Sequence, residues 1–343
     1  MNGSPALADR LLEHLRGRLG APALHYAEPP AAITGGHDTA IFALRLAGGP
    51  IGWTGPLILR LQGGHQDPRR SLRERAAQNA LADLGYPTPR VLDACADPAV
   101  LGGGFLVMER AAGRPMLDAQ RTGVARALVE LQSRLHDLPV EPFLRAVDAV
   151  GGRALSTFDG LCAYLAERAG RHAHDGLRAP MDWLLAHRPA EPARPAICHG
   201  DFHPQNVLMA GGAVTAVLDW PNAVVADPAY DVAATRIIVG MVPMALSSVP
   251  AVLRGVAHVV RVVTLRRYLA GMLARRPIAP DVLGYYEAAA CMRQLVRIWE
   301  ARLDAAERGV VPGALDASVL GDRLVAHFAR LSGVRPVLPP VPR

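Results

Sequence analysis

The sequence predicts an α+β fold in two lobes, a small N-terminal lobe of antiparallel strands and a larger helical C-terminal lobe. Three observations lead there. Strand and turn signals crowd residues 33–62 and return near 91–108, with one long helical stretch between them. From about Ala111 onward the pattern is helical, apart from a single hairpin. At 343 residues the chain is long enough for two cores.

In order along the chain, Asp9, Arg10, Glu13 and His14 mark a charged amphipathic helix rather than a secretion signal. Ile33 to Asp38 is a glycine turn built on Gly35-Gly36, Ala40–Leu46 is a strand, and Gly48-Gly49-Pro50 is another turn. Leu57–Leu61 is a third extended element, with Arg60 standing inside an apolar strand. Asp67-Pro68 opens a helix that runs to Leu84 and stops at Gly85, with Pro87 and Pro89 beyond it. Val91-Leu92 and Phe105–Met108 are two more strands. The expected division is residues 1–110 for the first lobe, 111–333 for the helical lobe and 334–343 for a proline-rich extended tail. No internal repeat is present.

Composition excludes several classes. Half of the residues are apolar, yet no run of about 18 uninterrupted apolar residues occurs. Ile237–Leu253 comes nearest, but Pro243 and Pro250 break it and it carries Ser247-Ser248, so no membrane span is expected. Cys95, Cys162, Cys198 and Cys291 are scattered without paired spacing, which points to a reduced, cytoplasmic protein with no structural zinc. The net charge of +6 comes with no basic run longer than two arginines, which argues against nucleic acid as a partner. All 37 Lys+Arg residues are arginine. Any cation that meets a phosphate must then be a guanidinium or a histidine, unless backbone N–H groups serve.

The most specific segment is His199-Gly200-Asp201-Phe202-His203-Pro204-Gln205-Asn206, followed by a hairpin and then Asp219-Trp220. Val207–Met209 is apolar, Gly211-Gly212 is the turn, and Ala213–Leu218 is the return strand. The residue before the first strand and the residue after the second lie at the same end of a hairpin, so Asn206 and Asp219 meet beside the loop that carries Asp201. Oxygen donors gathered in this way suit a hard cation such as Mg²⁺, which takes one or two carboxylates and completes its shell with phosphates. As ordinary turn and cap residues, Asp201 and Asn206 are each explicable singly, but not together with Asp219. A zinc site at His199 and His203 needs a helix that Gly200 and Pro204 oppose, and it lacks the intervening glutamate.

The same residues resemble the aminoglycoside phosphotransferase and choline-kinase-like family of small-molecule kinases, which have a protein-kinase-like fold. His199-Gly200-Asp201 with Asn206 matches the catalytic-loop motif of that family, Leu218-Asp219-Trp220 its metal-binding segment, and Asp227 to Ala233 the motif that opens the next helix. Similarity continues upstream through Gly35-Gly36, Arg60, Glu74, Pro87–Val91 and Leu135-His136, and covers roughly residues 30 to 300.

The resemblance implies ATP- or GTP-dependent transfer of a γ-phosphoryl group to a hydroxyl of a small molecule. Asp201 would act as base, Asn206 and Asp219 would hold Mg²⁺, and His199 and Asp231 would support the loop. Gly35 and Gly36 would cover the phosphates, and the backbone around Met108, Glu109 and Arg110 would meet the adenine. Arg60 would stand where the family often has lysine and pair with Glu74, with Arg45 and Gln62 as competing partners. Glu74 also fits a capping box with Ser71, a purely local role.

On the acceptor side, the helices of residues 235–300 are apolar and rich in arginine, including Arg236, Arg266-Arg267, Arg293 and Arg297. That composition suits a neutral, apolar-bodied or anionic alcohol better than a polycation, unless these arginines are solvated helix faces. Two alternatives stay open: a nucleotide-binding pseudokinase or regulatory module without turnover, and a protein kinase. The eleven residues between Asp219 and Asp231 are short for the peptide-docking segment of the latter.

Overall fold

A computed structural model describes residues 5–33, 39–63, 67–119, 122–170, 175–192, 194–241, 251–308 and 318–338. They form two compact units. The first comprises residues 1–119, 141–152 and 205–221, and the second residues 120–140, 153–204 and 222–343.

The chain begins with α1 (Pro5–Leu19), β1 (His25–Ile33), β2 (Thr39–Ala47), β3 (Pro56–Gln62) and α2 (Arg70–Asp83). After these come β4 (Val91–Cys95), α3 (Pro98–Leu101), β5 (Phe105–Glu109), β6 (Arg114–Pro115) and α4 (Met116–Ala119). One antiparallel sheet of five strands results, in the order β1-β2-β3-β5-β4.

Strand parity divides the side chains of this sheet. Phe42, Leu44, Leu46, Leu57, Leu59, Phe105 and Val107 form one core with Leu11 and Leu15 of α1. Ile58, Leu106 and Met108 cluster with Val91 on the other, which is α2's side: Gln78 Nε2 lies 3.9 Å from Met108 Sδ. Two residues on from Ile58, Arg60 must face α2 as well.

The strand β1 has no counterpart in the sequence-based expectation. It carries Pro29-Pro30, which normally argues against a strand, and its register against β2 shifts twice between Tyr26 and Ala31. As the outermost strand it tolerates both prolines, whose missing N–H groups a central strand would need. The helix α2 starts at Arg70, two residues after Pro68, because Asp67 Oδ1 accepts the Arg69 N–H at 2.9 Å in a local turn. Ser71 is not half of a capping box. Its hydroxyl donates to the carbonyls of Pro68 (2.7 Å) and Cys95 (3.0 Å), so Glu74 is left for another partner.

Then follow α5 (Val124–His136), α6 (Val140–Asp148), α7 (Phe158–Gly170), α8 (Arg178–Ala186), β7 (Ala196–Cys198), β8 (Val207–Ala210), β9 (Ala213–Val217) and β10 (Val224–Ala226). The helices α9 (Pro228–Met241), α10 (Ala251–Arg275), α11 (Pro280–Arg308) and α12 (Ser318–Ser332) complete the chain. The hairpin of β8 and β9 belongs to the first unit and adds β6 at its edge. Gly211 and Gly212 have φ of 57° and 80°, the paired left-handed residues of a tight two-residue turn.

In the second unit β7 pairs with β10, and α11 runs against α9 and α12. Tyr285 and Tyr286 of α11 are core residues, edge-on to Phe158. The broken apolar stretch Ile237–Leu253 is divided between the end of α9 and the start of α10, and residues 242–250 lie outside the described residues. Among the described residues no helix is long and apolar enough to cross a membrane. Part of the proline-rich tail is tied down, with the Val337 N–H donating to the Gly176 carbonyl at 2.9 Å.

Candidate active site

In the first unit three charged side chains form one array. Arg60 Nη1 donates to Glu74 Oε1 at 2.5 Å, and Arg60 Nη2 donates to Asp219 Oδ1 at 3.0 Å. The pairing of Arg60 with Glu74 that the resemblance implied is therefore present, and Asp219 joins it. A planar guanidinium can grip two carboxylates at once through its separate nitrogens, which a lysine ammonium does less rigidly. Glu74 is 1% exposed and Arg60 14%, whereas the Asp219 side chain is 36% exposed, so one carboxylate is sealed and the other faces outward. Burial pushes the Glu74 carboxyl above its ordinary range, with Arg60 pulling against it. Burial also works against the charge on Arg60, but Glu74 and Asp219 together hold its pKa above the usual value.

The hairpin places Asp219 as its symmetry requires. The Leu218 N–H donates to the Asn206 carbonyl at 2.8 Å and closes the hairpin end, with Asp219 the next residue in the chain. Asp219 has φ of 70°, and among the described residues it is the one non-glycine residue with positive φ. Aspartate tolerates that conformation better than most residues, and such strain often accompanies function. A carboxylate and a carboxamide carried by the same hairpin end are hard oxygen donors of the kind Mg²⁺ takes when phosphates complete the shell.

The stretch before the hairpin belongs to the second unit. His199 is buried, and its Nδ1 accepts the Asp201 N–H at 3.2 Å, which puts the proton of a neutral ring on Nε2. Asp201 is half-buried. Asp231, fully buried at the start of α9, accepts the Gly200 N–H at 2.8 Å on Oδ1 and meets His136 Nε2 at 3.0 Å on Oδ2. Burial would raise Asp231, but the His136 hydrogen bond and charge, His199 and the Gly200 N–H together hold it below the ordinary carboxylate range.

His136, Cys198 and Asp231 have ligand-type atoms within 4.8 Å of one another. Burial pushes the Cys198 thiol far up, and both oxygens of Asp231 already receive donors. Asp231, itself held by His136, braces the loop through the Gly200 N–H.

Of the nucleotide-side residues, Gly35 and Gly36 lie outside the described residues. Met108 is buried within the sheet. The N–H groups of Glu109 and Arg110 donate to the carbonyls of Arg90 (3.0 Å) and Pro56 (2.9 Å), so they are committed to neighbouring strands. A recess of about 430 Å³ opens beside them, lined by Pro56, Thr88, Pro89, Ala111 and Thr215 among others. Arg45 and Gln62 pair opposite Pro56 and Thr39 in the sheet and take no part in the Arg60 array.

On the acceptor side the structure places Glu287 and one of the arginines inside the second unit. Glu287 is buried and bridged by Arg236 and by His327 Nε2 at 2.9 Å. Arg293 is buried too, neither a solvated helix face nor an outward-facing acceptor contact, and its guanidinium donates to the Gly200 carbonyl. A sequence signal for Arg293 exists in retrospect: a lone cation among Ala289, Ala290, Leu295 and Val296 on an apolar helix has to find a buried acceptor.

Comparison with known proteins adds to this geometry. Residues 31–245, more than half of the chain, match the family described as the phosphotransferase enzyme family. An aminoglycoside 3'-phosphotransferase of Streptomyces fradiae is 33% identical over 210 residues, which cover 53% of this chain and 75% of that protein. Acyl-CoA dehydrogenase family member 11 of Homo sapiens is 29% identical over 178 residues, 47% of this chain but 22% of the relative. The chain thus spans about a fifth of the length of such relatives. Among solved structures, a thermostable mutant of aminoglycoside phosphotransferase APH(4)-Ia in complex with AMP-PNP and hygromycin B superposes with a TM-score of 0.56 at 19% identity, covering 94% of this chain and 99% of that one. Aminoglycoside-3'-phosphotransferase of type VIII gives a TM-score of 0.54 at 22% identity over 83% and 98% of the two chains. At such identities the likeness is one of fold.

Proposed function

The chain belongs to the phosphotransferase enzyme family, small-molecule kinases with hydroxyl acceptors, and from that premise we propose that it moves the γ-phosphoryl group of ATP to a hydroxyl of a small molecule with Asp201 as the base. The observation that carries this reading is the Arg60–Glu74–Asp219 array beside Asn206. Phosphoryl transfer asks the protein for position and charge neutralisation more than for covalent chemistry. Asp201 orients the acceptor hydroxyl and takes its proton as the oxygen attacks the γ-phosphorus and the bond to the β-phosphate oxygen breaks. Asn206 and Asp219 would hold Mg²⁺, which supplies positive charge to the phosphate oxygens. Arg60 carries the phosphate-facing charge that lysine often carries in the family, and Glu74 keeps it aimed. The purine would lie at the recess beside Glu109. With the N–H groups of Glu109 and Arg110 committed, its edge is read by the residues that follow.

For the acceptor, the apolar composition of the helices over residues 235–300 favours an apolar-bodied alcohol over a polycation. One relative that shares this portion is named for acyl-CoA, so acyl-CoA thioesters that carry a hydroxyl join the candidates to be tested. The test is an acceptor panel of sugars, amino alcohols, aminoglycosides, macrolides and hydroxyacyl thioesters with Mg·ATP, scored by ADP release. Asp201→Ala and Asp219→Ala should each cost at least about a hundredfold in turnover. Full turnover in both would end this reading. One observation favours a second reading, a nucleotide-binding module without turnover: Arg60 occupies Asp219, the proposed metal ligand, directly. Tight nucleotide binding with no ADP release on any acceptor would select it.

A further inference from the structure

The peptide between Gly200 and Asp201 is held at both of its ends. Its carbonyl accepts from the guanidinium of Arg293, and its N–H, that of Asp201, donates to His199 Nδ1 at 3.2 Å. The preceding peptide is held as well, with the Gly200 N–H on Asp231 Oδ1 at 2.8 Å. Because a peptide unit is planar, fixing its C=O and N–H fixes the direction in which the next Cα, here that of Asp201, presents its side chain.

Gly200 itself cannot supply that rigidity. It has φ of 73°, the region glycine enters freely, and its carbonyl is turned out of any regular ladder. Nor is the position open to another residue, since a Cβ there would stand 2.8 Å from the Asn222 carbonyl oxygen.

Arg293 meets this loop from α11, 93 residues away in sequence. It is 7% exposed, and its Nη1 also lies 3.4 Å from the Tyr230 hydroxyl. Burying a guanidinium is expensive unless its N–H groups meet acceptors, and the Gly200 carbonyl is one of them. For packing alone an apolar side chain would serve more cheaply. What a cation adds is a strong, directional hold on one carbonyl, and it polarises the peptide so that the Asp201 N–H donates more strongly to His199.

We propose that Arg293 is a positioning residue for Asp201, which it aims through the Gly200 carbonyl. The proposal rests on the phosphotransferase reading, with Asp201 as base. The role proposed for Arg293 runs through that carbonyl. Its loss misdirects the carboxylate and leaves the Arg60–Asn206–Asp219 side untouched.

The experiment compares the unmodified chain with Arg293→Lys and Arg293→Ala, using Mg·ATP with water as the acceptor. ADP release gives turnover, calorimetry gives the affinity for Mg·ATP, and thermal melting monitors the fold. Turnover in Arg293→Ala should fall about a hundredfold, the scale on which an ångström of misplacement acts, while affinity for Mg·ATP stays within about threefold. Millimolar guanidinium should restore part of the lost turnover in Arg293→Ala and none in Asp201→Ala. Should Arg293→Ala fail to fold, Arg293→Lys carries the test, because it keeps the charge and loses the planar fork, and it should show a smaller loss of turnover at unchanged affinity. Turnover unchanged in Arg293→Lys and Arg293→Ala overturns the proposal. So does a parallel fall of turnover, affinity and melting temperature without rescue, which marks a purely structural arginine. No ADP release from the unmodified chain under any condition overturns the phosphotransferase reading itself, and the proposal with it.

Discussion

Glu74 in the first unit and Asp231 in the second are both buried carboxylates, each facing a cationic or potentially cationic side chain, Arg60 at 2.5 Å and His136 at 3.0 Å. Their protons behave in opposite ways: Glu74 is pushed up and Asp231 is held down. The difference lies in how the donors are shared. Asp231 has a donor of its own on each oxygen, one of them a backbone N–H that cannot move away. Glu74 divides one guanidinium with Asp219, whose negative charge adds to the cost of its burial. A carboxylate saturated by fixed donors is scaffold, while one that shares its cation with an outward-facing acid leaves that cation free to answer a ligand.

The largest effect that tests this contrast is on stability. Asp231→Ala strands the Gly200 N–H and buries His136 without its acceptor, and should cost about 3–5 kcal/mol in denaturant unfolding. A loss below about 1 kcal/mol would erase the scaffold half of the comparison. Glu74→Gln keeps shape and removes the shared charge. It should cost only about 1 kcal/mol of stability, while ADP release with Mg·ATP drops about tenfold as the guanidinium swings toward Asp219. Equal turnover in Glu74→Gln would show that Arg60 needs no second acid.

The smallest effect is in pH. Burial, Arg330 and Arg236 hold the His327 imidazole down from its ordinary 6.5 to about 4, and the Arg330 guanidinium on Nδ1 leaves Nε2–H to donate to Glu287. Between those values the unfolded chain binds the proton that the folded chain refuses, so stability falls as pH drops from about 6.5 to about 4. Asp231 works in a lower window. Its folded value is depressed, so its contribution is present above the ordinary carboxylate range and is lost only as pH falls through that range and below. His327→Gln should flatten the upper slope and leave the lower one, which urea midpoints from pH 7 to pH 4 would show.

Much of this was legible in the chain, for identifiable reasons. The strands β2 and β3, the helix α2 and the hairpin with Gly211-Gly212 follow from periodicity and turn chemistry, which are local. Asn206 and Asp219 could be brought together because a hairpin converts sequence into proximity. The strand β1 was hidden because only its place at the sheet edge permits Pro29-Pro30, and β7 and β10 because three residues carry no period. The Arg60 grip on Asp219 spans 159 positions, and the Arg293 grip on Gly200 spans 93. No local pattern encodes either. A buried arginine surrounded by apolar residues says that some acceptor must exist, not which one.

The prolines of β1 have a consequence in the test tube. The outer strand of a five-stranded sheet offers unpaired N–H and C=O groups as a template on which another chain could build. Pro29-Pro30 takes N–H donors out of that strand, and register shifts on either side of Glu28 interrupt its regular edge. The irregularity that conceals the strand from a reader of the sequence also conceals it from neighbouring molecules, and so protects the protein against edge-to-edge aggregation.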